Sequence, residues 1–131
     1  MPDEKRWIQQ AVADLCAAQD SSKTQHFEWA SFQSQQAAEK GLKSFLFSRG
    51  RTSVITHSLV DLVRAAQALE PSFAGLTTEA KYLDAFYIGT RYPNGLMSQD
   101  PPARYFDEKD ASQCIQSAQS ILNVCLKFVT P

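Results

Sequence analysis

"DEKDASQCIQSAQSILNVCLKFV", residues 107–129, decides the fold class because its apolar positions allow one reading. Ala111, Cys114, Ile115, Ala118, Ile121, Leu122, Cys125 and Val129 recur at intervals of three and four, the spacing of a single helix face. Asp107 stands ahead of the stripe as an N-cap, and Glu108 and Asp110 put negative charge in the first turn, where the helix dipole favours it. The pattern predicts a helix from about 107 to 129.

The same period recurs upstream. Trp7, Ala11, Leu15 and Ala18 mark a helix over about 3–20, broken by "SSKTQ". Trp29, Phe32, Ala37, Leu42, Phe45 and Leu46 mark a second over about 26–49, with Gly50 placed to end it. Leu59, Leu62, Val63, Ala66 and Leu69 give a third over about 56–69, opened by a Ser58/Asp61 capping box and stopped by Pro71. A fourth, about 77–88, starts at Thr77 or Thr78 and holds Leu83, Phe86 and Tyr87. Strand signals are nearly absent. Short connections favour antiparallel neighbours, so the expected fold is all-α, a five-helix antiparallel up-and-down bundle in one domain over 1–131. Residues 89–106 contain three prolines and two glycines and read as a packed, functional loop. The chain starts just before the first helix and stops at Pro131 just after the last, as an excised domain would.

Composition narrows the function classes. The formal net charge is −1 over 131 residues, so the molecule as a whole has no field to recruit nucleic acid, and an anion site must be a local cluster. No apolar run reaches the roughly 20 residues of a membrane span, and "MPDEKRW" leads into no signal-peptide core. Three cysteines without CxxC pairing fit reduced thiols in a cytoplasmic protein. Cys16, Cys114 and Cys125 all fall at core spacings. No metal cluster, phosphate-binding GxxxxGK[ST] or GxSxG elbow is present, so no cofactor or metal is expected.

The order of segments resembles the HEPN family, the "higher eukaryotes and prokaryotes nucleotide-binding" domains. The resemblance rests on "KRWIQQAVADLCAA" (5–18), "EWASFQSQQAAEKGLKSFLFSRG" (28–50), "THSLVDLV" (56–63), "LDAFYIGTRYP" (83–93) and "YFDEKDASQCIQSAQSIL" (105–122). The stand-alone prokaryotic branch and the carboxy-terminal domain of the co-chaperone sacsin are similar; abundant Gln and Ser lean toward a sacsin-like chain. The resemblance implies a two-fold homodimer whose basic groove binds a nucleotide such as GTP or ATP; the composition, as above, leaves no membrane partner expected. The family pattern often has proline at position 89 and aspartate at 94; Gly89 and Asn94 here are expected to loosen that turn.

The nucleotide-binding candidates are Lys40, Lys43, Arg51, His57, Arg91 and Tyr92. Arg91 lies between Tyr87 and Tyr92 where helix four must end. It is either an anion clamp, because a guanidinium suits bidentate phosphate contact, or a structural arginine that caps carbonyls or pairs with Asp84. Gln36, Lys40 and Lys43 form a polar strip on helix two, with Glu39 placed to pair with Lys43. The strip is a solvated face, or else Lys40, Lys43, Arg49 and Arg51 converge with His57 at the start of helix three to hold a phosphate. The resemblance also implies an alternative, metal-independent ribonuclease activity through an Arg-x(4–6)-His motif, which "RTSVITH" matches with Arg51 and His57. That motif belongs to the later helix in the family, and residues 79–91 contain no histidine, so RNA is not the expected partner. A purely structural dimer is the third reading. His26 reads as solvated.

Overall fold

The computed structural model describes residues 3–131. Among them there is no strand. Five helices of two turns or more follow the expected order: α1 (Glu4–Lys23), α2 (Phe27–Ser48), α3 (Leu59–Leu69), α4 (Thr77–Asp84) and, after a single-turn α5 (Pro102–Tyr105), α6 (Glu108–Cys125). No helix among the described residues is long and apolar enough to cross a membrane.

The central helix is α2, which packs on α1, α6, α3 and α4. Its composition permits this. Ala30, Ser31, Ser34, Ala37, Ala38, Gly41 and Ser44 are all buried, and small side chains let several neighbours approach one axis. At Gly41 the approach is tightest, since a Cβ there would lie 2.7 Å from Leu122 Cδ1 and 3.4 Å from Cys125 Sγ. The larger core side chains, Ile8, Leu42, Phe45, Leu62, Phe73, Leu83 and Ile121, fill the space around it.

Helix ends follow local chemistry. Asp107 and Asp110 form a full capping box, each carboxylate accepting the other's backbone N–H at 2.9 and 3.0 Å. Gly50 adopts φ +83° and turns the chain out of α2, as its position predicts. Four boundaries differ from expectation. Helix α1 runs through Ser21–Lys23 and is turned only at Gln25, with φ +64°. Helix α3 begins at Leu59 because Ser58 is its N-cap, accepting from the Asp61 N–H at 3.3 Å. Helices α4 and α6 end four residues early, in irregular turns. The segment read as helix-free holds a 3₁₀ turn, Pro93–Gly95, and α5. In both, proline stands in the first turn, where a missing N–H costs nothing.

Two further expectations fail on burial. Trp29 is 47% exposed rather than in the core, and Cys16 lies on the exposed face of α1. Gly89 does not loosen its turn. It is buried, and a Cβ on Gly95 would stand 3.1 Å from Gly89 Cα, so the chain folds back tightly on itself.

Candidate functional site

The candidate residues separate into three places. Lys40 turns toward α1 and pairs with Asp14. Arg49 turns toward the end of α3, with Glu70 at 3.7 Å, the Leu69 carbonyl at 3.4 Å, and the Phe45 ring 4.8 Å beneath. Neither joins His57, so the expected convergence of Lys40 and Arg49 on a common phosphate does not form. The physical reason is local neutralisation: each cation has its own carboxylate closer at hand. Arg51 is exposed and makes no ion pair or side-chain hydrogen bond among the described residues.

Lys43, His57, Arg91 and Tyr92 do lie along one connected surface, through partners that sequence spacing missed. Lys43 and Glu39, both about 5% exposed, are paired at 3.0 Å. The same Glu39 oxygen accepts from His57 Nδ1 at 3.1 Å. A buried charge needs such a partner, and here one carboxylate serves two donors. The His57 ring stays 56% exposed and lies nearly parallel to Tyr87, with centroids 5.1 Å apart and planes at 19°. With Nδ1 donating to Glu39, Nε2 is left free on the open edge.

Tyr87 links His57 to Arg91. The guanidinium donates from Nε and Nη2 to the Tyr87 carbonyl at 3.0 and 2.8 Å, in the turn that follows α4, so it caps a carbonyl as the structural alternative required, though three residues beyond the helix itself. Asp84 is not its partner. That carboxylate accepts instead from the Leu59 and Val60 N–H groups and the Ser58 hydroxyl at 2.7, 3.2 and 3.3 Å, closing the start of α3. Arg91 meets no carboxylate among the described residues and lies against three rings: Phe32 at 4.4 Å, Tyr87 at 4.7 Å and Tyr92 at 5.2 Å. A guanidinium has five N–H donors, so two spent on one carbonyl leave three for a ligand. Tyr92 is half exposed. Trp29 extends the surface through an edge contact with Phe32 at 6.2 Å.

The result is a ledge of aromatic planes, Trp29, Phe32, Tyr92, Tyr87 and His57, with one uncompensated guanidinium set among them. Such a surface can stack a flat base and hold a phosphate. The thiols offer no nucleophile there. Burial pushes the Cys114 thiol up to about 12 and moves Cys125 in the same direction.

A model of the HEPN domain matches residues 4–128. The chain belongs to the HEPN family. The solved structure of TT1696 from Thermus thermophilus superimposes with a TM-score of 0.87 at 34% identity, covering 98% of this chain and 100% of that one. ST0689, described as an archaeal HEPN homologue, gives a TM-score of 0.79 at 33% identity over 97% and 98%. A candidate toxin of Methanocaldococcus jannaschii, MJ1304, is 24% identical over 95% of this chain and 87% of its own length. This HEPN chain fits the stand-alone prokaryotic branch. The compositional lean toward a sacsin-like chain has no counterpart among these three.

Proposed function

We propose that this chain is a homodimerising HEPN module that binds a nucleotide on the His57–Tyr87–Arg91 ledge. One observation carries the reading: Arg91 keeps three N–H donors and no carboxylate among the described residues while stacked among the partly buried Phe32 and Tyr87 rings and the exposed Tyr92 ring. His57, Arg91 and Tyr92 meet the ligand. Lys43 acts at one remove by fixing Glu39, Arg51 adds charge from the exposed connection, and Lys40 stays with Asp14 on the α1 side. Exposed Trp29, Ile88 and Tyr92 provide apolar surface for a second copy. Calorimetric titration with GTP and ATP at low salt should show saturable binding that Arg91→Ala abolishes and added salt weakens. Binding unchanged in Arg91→Ala would move the ligand elsewhere. A monomer by light scattering would remove the shared groove.

A second reading is metal-independent RNA cleavage, favoured by the bond from His57 Nδ1 to Glu39, which leaves Nε2 positioned as a base. Here Arg91 rather than Arg51 steadies the phosphate, because it stands on the same tyrosine as His57. His57 Nε2 takes the 2′-hydroxyl proton, the O2′–P bond forms as the P–O5′ bond breaks to leave a 2′,3′-cyclic phosphate, and the departing 5′ oxygen takes a proton from water, to which the imidazolium later returns its own. Single-stranded RNA cut in EDTA by the wild type, and left intact by His57→Ala, establishes this reading. Intact RNA with both removes it.

A further inference from the structure

The connection from α2 to α3 is not helical, yet it carries the burial pattern of a strand. Residues 51–58 run without turn or bend. From Ser53 to Ser58 exposure alternates at every step. Ser53, Ile55 and His57 are exposed, while Val54, Thr56 and Ser58 are partly buried, Val54 against the core. The β-branched Thr52, Val54, Ile55 and Thr56 suit such a backbone. What is missing is a neighbour. Each backbone N–H from Thr52 to His57, and each carbonyl from Arg51 to Thr56, is without a protein partner among the described residues. Unpaired backbone groups persist where water reaches them, so this edge is open. Ile55 beside it is 87% exposed.

We propose that residues 52–57 pair, as one strand of a two-stranded ladder, with an extended acidic segment of a partner protein. Charge selects that partner. Residues 49–60 hold two arginines and a histidine and no carboxylate. Arg49 is matched by Glu70, whereas Arg51 makes no ion pair among the described residues. The strand period puts Arg51 on the same outward row as Ser53, Ile55 and His57. An incoming strand therefore gains by setting a carboxylate opposite Arg51 and an apolar side chain opposite Ile55. A second copy of the same segment brings cations and no carboxylate, so self-pairing is disfavoured. A lone pair of strands is marginal in water. Here one strand is already held, by Val54 in the core and by the bond from His57 to Glu39, and only the partner segment is ordered on binding. The site stands whether or not a nucleotide binds on the ledge.

The test titrates the intact chain with the capped peptide Thr-Val-Thr-Val-Thr-Glu-Thr-Glu at low salt, read by amide NMR and hydrogen exchange. Slowed exchange at alternate amides between Thr52 and His57 is expected, because successive N–H groups of a strand point to opposite edges. Arg51→Glu changes a side chain that pairs with nothing in the fold and should weaken binding about tenfold. Thr52→Pro and Ser53→Pro, both at exposed positions, each delete one N–H, on opposite edges. One of them should weaken binding at least about tenfold and the other leave it unchanged. Equal binding of the same peptide with Lys in place of Glu, binding without alternate protection, or equal effects of the two prolines overturns the proposal. Alternate protection in the chain alone, growing with its concentration, gives the edge to a second copy and overturns it as well.

Discussion

Arg49 and Arg91 are built alike and end differently. Each closes the end of a helical segment, donates to a backbone carbonyl and rests on aromatic rings, Phe45 and Phe128 for one, Phe32, Tyr87 and Tyr92 for the other. Arg49 has Glu70 beside it, and Arg91 has no carboxylate among the described residues. Stacking and carbonyl capping hold either side chain in place. The carboxylate decides whether its charge is spent within the fold or kept for something else. The charge at the α2–α3 corner is therefore matched within the fold, and the α2–α4 ledge, where it is not, is the place we propose for a ligand.

The largest effect separates the floors of the two arginines. Phe45 is fully buried against Phe73, centroids 4.5 Å apart, so Phe45→Ala should cost about 3–5 kcal/mol in chemical unfolding. Phe32 is only partly buried; Phe32→Ala should cost less yet weaken nucleotide binding. Equal losses of stability would remove the contrast. Next, Asp84→Ala deprives two N–H groups of α3 of their acceptor, for an expected loss of about 1–3 kcal/mol. Arg91→Lys keeps the charge but loses the planar fork, so affinity for GTP should fall about tenfold with melting nearly unchanged. A lysine variant that binds like the wild type would reduce the site to simple charge.

The smallest effect is in acid. Hydrogen bonds from Ser72, first from its side chain, lower the Glu70 pKa, with the Arg49 charge acting the same way. A depressed carboxylate stabilises the fold above its unfolded value and loses that contribution as pH falls below about 4.3. Amide shifts around Arg49 should move in that range while those around Arg91, which has no contacting carboxylate among the described residues, hold still.

Much of this was legible in the residues. Helix order, the Asp107 cap, the Ser58 cap and the Gly50 turn are local, so a few neighbours state them. The Glu39–Lys43 pair was legible for the same reason, being four residues apart on one helix. The ledge was not, because its decisive contacts span distance: Phe32 to Arg91, Glu39 to His57, Asp84 to Leu59. Phe32 sits on the apolar stripe of α2 and gives no local sign that it also floors a guanidinium. Lys40 and Lys43 look equivalent in sequence, and only the packing of α1 assigns one of them to Asp14.

The grip of Asp84 on α3 has a consequence for how the molecule opens. The Leu59 and Val60 amides belong to a helix but are protected by a side chain from 25 and 24 residues away, while the Leu62 amide is held within α3 by the Ser58 carbonyl at 3.1 Å. Hydrogen exchange at the first two thus times the undocking of α4, and exchange at Leu62 times the melting of α3 itself. A fluctuation that swings α4 away with every long helix intact will unmask that one pair of amides and leave their neighbour silent.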